Sequence, residues 1–65
     1  MSTAYDIQLC RVQQAAQDVR SAIAMRDGGL VTHRVGDKLI AERDRQLRLE
    51  LRILAAIERR RGDGA

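Results

Sequence analysis

Leu30-Val31-Thr32-His33-Arg34-Val35-Gly36-Asp37-Lys38-Leu39-Ile40-Ala41 joins two helix-forming segments, and whether it is extended or helical decides the fold. Val31, Thr32, Val35 and Ile40 are β-branched, and branching at Cβ favours pleated backbone over helix. Gly36-Asp37 divides the stretch into two short runs, and a glycine at the first central position suits a two-residue type II′ turn. The expectation is a small β-hairpin, with 30–35 paired against 38–41. A two-stranded ribbon is marginal in water, so this one must lie on the helices or on a neighbouring chain.

Upstream, the segment from Thr3 to Arg26 reads as a helix. Tyr5, Leu9, Val12, Ala16, Val19 and Ile23 alternate spacings of four and three, which lines them up as one apolar seam. Ser2 or Thr3 can cap its start, and Asp6 suits the positive end of the helix dipole. Gly28-Gly29 then stops it, because glycine enters the left-handed region at low cost.

Downstream, Leu47-Arg48-Leu49-Glu50-Leu51-Arg52-Ile53 alternates like a strand. Yet Leu, Arg, Glu and Gln are strong helix formers, and Glu42 to Arg60 runs without Gly or Pro, too long for an ordinary strand. Helix prevails. The fold class expected is therefore α+β: two antiparallel α-helices joined by a short β-hairpin, as one domain over residues 1–61, with a flexible C-terminal tail at 62–65.

The alternation on the second helix has a consequence. Leu47, Leu51 and Leu54 define one face, and Leu49, Ile53 and Ile57 another about 120° away. One partner helix cannot cover both, so the second set is expected to meet another subunit. Arg45, Arg48, Arg52 and Arg59 share the remaining arc. Together with Arg60 and Arg61 they form the candidate contact for an acidic partner. Either phosphate, which arginine neutralises without reading sequence, or carboxylates, which it pairs bidentately, would serve. Intrahelical pairs such as Asp44–Arg48 and Glu42–Arg45 are the plainer use of the same residues.

Composition narrows the functional classes. The chain has 65 residues, a net charge of +3, one Cys, one His, one Tyr and no Trp or Phe. The whole excess charge lies in residues 31–65, with nine basic groups against six acidic ones. A domain this small buries only about 60% of its unfolded surface and commonly needs a disulfide, a metal or partner chains. Cys10 alone makes no disulfide, and Cys10 with His33 cannot supply the four ligands of a structural zinc site. Partner chains remain, so a homo-oligomer is expected.

No catalytic constellation, metal cluster or phosphate-binding glycine loop is visible, so neither enzymatic activity nor a cofactor is expected. Cys10 reads as a packing or interface residue, His33 as a surface or half-buried residue and Tyr5 as an anchor of the seam. One aromatic is too few for a base-stacking platform. The N-terminal residues lack a basic and apolar signal segment, and no apolar run is long enough to span a bilayer. Residence in the cytoplasm, or in a particle assembled there, is the expectation.

In order and proportion, Thr3–Arg26, the Gly28-Gly29 break, Val31–Ala41 with its Gly36-Asp37 turn, and Glu42–Arg60 resemble the gpW-type head–tail joining proteins of tailed bacteriophages. His33-Arg34-Val35-Gly36-Asp37-Lys38-Leu39-Ile40-Ala41-Glu42-Arg43-Asp44 is similar to that family's hairpin leading into its second helix, and Arg59-Arg60-Arg61-Gly62 to its arginine-rich ending. The resemblance implies a structural role at the head–tail junction of a virion assembled in the host cytoplasm. A dodecameric ring beneath the portal protein would join the DNA-filled head to a tail-side connector or terminator protein, with non-specific contact to packaged DNA. The alternative is a small basic DNA-binding or regulatory protein that dimerises as a helical hairpin. Against it, the second helix opens Glu42-Arg43-Asp44, whose acids would meet phosphate unfavourably.

Overall fold

The computed structural model describes residues 3–63; Ser2, weighed above as a cap, and residues 64 and 65 of the expected tail lie outside them. Two helices, α1 (Ala4–Asp27) and α2 (His33–Asp63), pack as one antiparallel hairpin. Thr3 opens α1 with a full capping box: its Oγ1 accepts from the Asp6 amide, and the Asp6 carboxylate accepts from the Thr3 amide.

The β-hairpin is absent, and the fold is all-α instead of α+β: no strand occurs among the described residues. The chain reverses earlier, at Gly28-Gly29-Leu30. The Leu30 amide donates to Met25 O at 3.0 Å and the Gly29 amide to Arg26 O at 3.2 Å, while Gly29 takes φ +76°. These are the paired bonds of a Schellman motif, which satisfies the last carbonyls of α1 and turns the chain outward. Thr32 then starts α2, its Oγ1 accepting from the Val35 amide at 3.3 Å and its carbonyl from Gly36 at 2.8 Å. β-Branched residues cost only tenths of a kcal/mol each in a helix, less than a long packed face returns.

Gly36 is thus a packing residue, not a turn residue. It is buried, and a Cβ there would stand 2.7 Å from both Cβ and Cγ of Arg26. The missing side chain lets the two helices approach closely where they begin to run together. Arg26 also donates from Nη1 to Asp37 Oδ1 at 2.9 Å and from Nε to Asp27 Oδ1 at 3.3 Å. These contacts, that to Asp37 above all, raise the guanidinium further into its charged range.

The contact line is a heptad seam. Along α1 it follows Tyr5, Gln8, Val12, Ala15, Val19, Ala22 and Arg26; along α2 it follows Gly36, Ile40, Arg43, Leu47, Glu50, Leu54 and Ile57. Every one of these is buried or half-buried. Steps alternating between three and four residues are those of a left-handed coiled coil. The α1 seam is therefore displaced from the one expected. Tyr5, Val12 and Val19 belong to it, but its buried centre is Gln8, Ala15 and Ala22, while Leu9 and Ala16 are half-buried at its flank and Ile23 is 37% exposed. Small residues win the centre because they permit close approach, and large side chains are left at the margin.

The outcome is a thin molecule. Its Cα extents are 49 × 20 × 10 Å, two helices wide and one helix thick. Among the described residues Ala15 and Ala22 are the only buried apolar ones, and no large side chain is fully buried. A compact monomer of 7.3 kDa exposes about 4,200 Å² by the scaling of surface with mass. This hairpin exposes 5240 Å².

Candidate functional site: an open apolar face on the helical hairpin

Leu49 and Ile53, expected to meet another subunit, are 46% exposed each and are not covered by α1. Ile57, grouped with them above, is instead half-buried in the intramolecular seam and, with Thr3, Ala4, Tyr5 and Arg61, lines a hollow at the end of the hairpin. Its place follows from the heptad count: Ile57 is seven residues after Glu50, whereas Leu49 and Ile53 stand just outside that line. The converse holds for Leu51. It was grouped with the intramolecular face but is 45% exposed.

Helical spacing groups the exposed residues with half-buried Leu39. Val35, Leu39, Glu42, Gln46, Leu49, Ile53 and Ala56 again alternate steps of four and three, forming a second heptad stripe on α2 one residue out of phase with the first. A groove bordered by Arg11, Gln14 and Asp18 from α1 and Gln46 and Glu50 from α2 fixes which side of α1 shares this face. Ile7, seven residues before Gln14, therefore joins it. Among the described residues, four of the seven exposed large apolar ones, Ile7 (49%), Val35 (51%), Leu49 and Ile53, belong to this one broad face. Of the same seven described residues, Ile23 and Leu51 lie on the opposite broad face and Leu30 sits at the turn.

Beneath this face lies a polar cluster that sequence reading missed. Gln8 and Glu50 are buried, at 5% and 9% exposure. Gln8 Nε2 donates to Glu50 Oε2 at 2.6 Å and to Glu50 O at 2.9 Å, while Gln46 Nε2 donates to Glu50 Oε1 at 2.9 Å. Both carboxylate oxygens are satisfied, as a buried polar group requires. The signal for it was the uncharged amide of Gln8 on one heptad line and the carboxylate of Glu50 on the other, at positions that face each other only once the register is known.

The arginines occupy the margins. Arg45, Arg52 and Arg59 follow the outer edge of α2 at seven-residue spacing, exposed, with Arg48 beside them. Arg48 pairs with Asp44 (Nε–Oδ2 3.1 Å), as the intrahelical reading expected, while no Glu42–Arg45 ion pair forms among the described residues. Arg60 is exposed; Arg61 lies with its Cζ 4.8 Å from the centre of the Tyr5 ring. Tyr5 also donates to Glu58 Oε1 at 3.4 Å, so the end of α2 is tied to the start of α1. The arginine set is thus divided between an open edge and an internal contact.

His33 is the exposed first residue of α2, and Cys10 is exposed on the outer side of α1. No group of three or more His, Cys, Asp or Glu side chains is placed to hold a metal among the described residues. No described helix is long and apolar enough to cross a membrane. No protein-family model matches the chain, and no curated protein or solved structure matches it either.

Proposed function

We propose that this chain is a structural assembly subunit that works by covering its open apolar face with another protein surface, and not by catalysis. The observation that supports this reading is the second heptad stripe of α2. A long helix with apolar residues on two adjacent lines is built for two partners, and α1 occupies only one. The head–tail connector of a tailed phage is the particular assembly that the gpW-type resemblance implies. Its support is the antiparallel pair of helices in the right order and the arginine-rich end at Arg59-Arg60-Arg61; the hairpin, the third shared feature, is missing from the fold.

A second reading, a basic helical-hairpin protein that binds nucleic acid, is favoured by one observation. Arg45, Arg52 and Arg59 line a single exposed edge, none of them in an ion pair among the described residues. Such an edge would grip phosphate with a strong salt dependence. Light scattering separates the readings when mass is followed over a range of concentrations, with and without duplex DNA. The assembly reading expects a mass above 7.3 kDa per particle that rises with concentration and ignores DNA. A monomer at every concentration that gains mass only with DNA, and loses it in high salt, would overturn it.

A further inference from the structure

We infer that the occupant of the open face is a second copy of this chain, docked antiparallel about a two-fold axis through Gln14 and Gln46 to give a four-helix bundle. The inference rests on the assembly reading and gives it a partner and a geometry. Three observations carry it.

The first is area. The hairpin exposes about 1,000 Å² more than a compact monomer of its mass. A standard interface removes about 800 Å² from each partner, so one dimer contact covers most of the surplus. The second is the stripe itself, whose heptad spacing fits another helix more closely than it fits an irregular surface.

The third is charge. On the open face Arg11 stands toward the chain termini, one helical turn from Gln14. Asp18 stands one turn from Gln14 in the other direction, toward the interhelical turn. Glu42 lies on the same side as Asp18, because α2 runs antiparallel and Glu42 precedes Gln46 by one turn. The face is therefore basic on one side of its centre and acidic on the other. Neither Arg11 nor Glu42 is in an ion pair among the described residues. A two-fold axis through the centre sets Arg11 of each copy between Asp18 and Glu42 of its partner. The same rotation brings Ile53, near the termini, level with Leu39 near the turn, seven residues to either side of Gln46, so that apolar meets apolar there, while Ile7 falls level with Ser21, one helical turn from Met25. Such self-complementarity is what an isologous interface requires. A parallel arrangement would leave Arg11 without an acid opposite it and set Asp18 of each copy against Glu42 of the other.

Charge exchange tests this directly. Variant one carries Arg11→Glu; variant two carries Asp18→Arg with Glu42→Arg. Each alone sets like charges against each other twice and is expected to weaken self-association by about a hundredfold or more. Mixed, they form a one-to-one heterodimer with both contacts attractive, seen by native mass spectrometry. Circular dichroism monitors the fold; should Asp18→Arg cost helicity, Glu42→Arg alone takes its place in the mixture. Unchanged homodimers of both variants, or no preference for the mixed pair, would overturn the two-fold docking while leaving the assembly reading intact. Wild-type protein that is monomeric at all concentrations would overturn both.

Discussion

Ile53→Asp is expected to abolish association of the hairpin and, with it, the stability that association adds. Ile53 stands outside the intramolecular seam, so α1 loses nothing from the change. In the proposed symmetric dimer each substitution counts twice. Burying the exposed part of one isoleucine contributes about 1 kcal/mol, and placing a carboxylate in an apolar contact costs more again. The combined loss of at least about 3 kcal/mol corresponds to over a hundredfold in Kd. Sedimentation equilibrium with circular dichroism on the same samples checks it. Association at wild-type strength would remove Ile53 from the interface; loss of helicity at high dilution alone would be the dimer dissociating.

The second large effect has a sign that simple hydrophobicity would get wrong. Gln8→Leu adds an apolar side chain to a buried position and is nevertheless expected to destabilise the protein. It takes from Glu50 the shorter of the two side-chain amide donors to its carboxylate, leaving Gln46 alone to serve a group only 9% exposed. An under-partnered buried charge costs about 3 kcal/mol, more than one leucine returns. For a domain of this size that is most of the folding free energy. Gln8→Leu combined with Glu50→Leu removes both partners and should recover most of the loss, to within about 1 kcal/mol of wild type. Urea denaturation of the two single variants and the double variant measures the coupling. A single variant Gln8→Leu as stable as wild type would mean that the cluster is solvated. The double variant is also the one expected to lose a unique register, since Gln8 and Glu50 are the polar residues that oppose each other across the seam.

The contrast between these two sites shows where sequence reading succeeds. The start of α1, its glycine stop, the helical character of 42–60 and the two-sidedness of its apolar pattern follow from local rules: capping, left-handed glycine, propensity and period. The link between the helices did not follow. Gly36-Asp37 has turn chemistry, and four β-branched neighbours agree with it, but glycine serves close helix packing equally well. Only the partner at that position, Arg26, decides between the two uses. Likewise the apolar count favoured Leu9, Ala16 and Ile23 for the seam, whereas distance of approach favoured Gln8, Ala15 and Ala22. Small size and a hydrogen-bonded pair outrank hydrophobicity where two backbones come close, and neither is readable from one helix alone. Of the three residues expected to meet another subunit, the exposure of Leu49 and Ile53 was legible because the alternation of α2 leaves them without a cover from α1. Ile57 was not, because telling it from Ile53 requires the register across the hairpin.

The most direct test of the central claim, that this hairpin is half of a folding unit, is the thermal midpoint measured over about a hundredfold range of protein concentration. A dimer that folds and assembles together gains stability by mass action, and its midpoint is expected to rise by about 10 °C over that range. A midpoint that does not move, in a sample whose mass stays at 7.3 kDa, would show that the hairpin is stable alone and contradict the account.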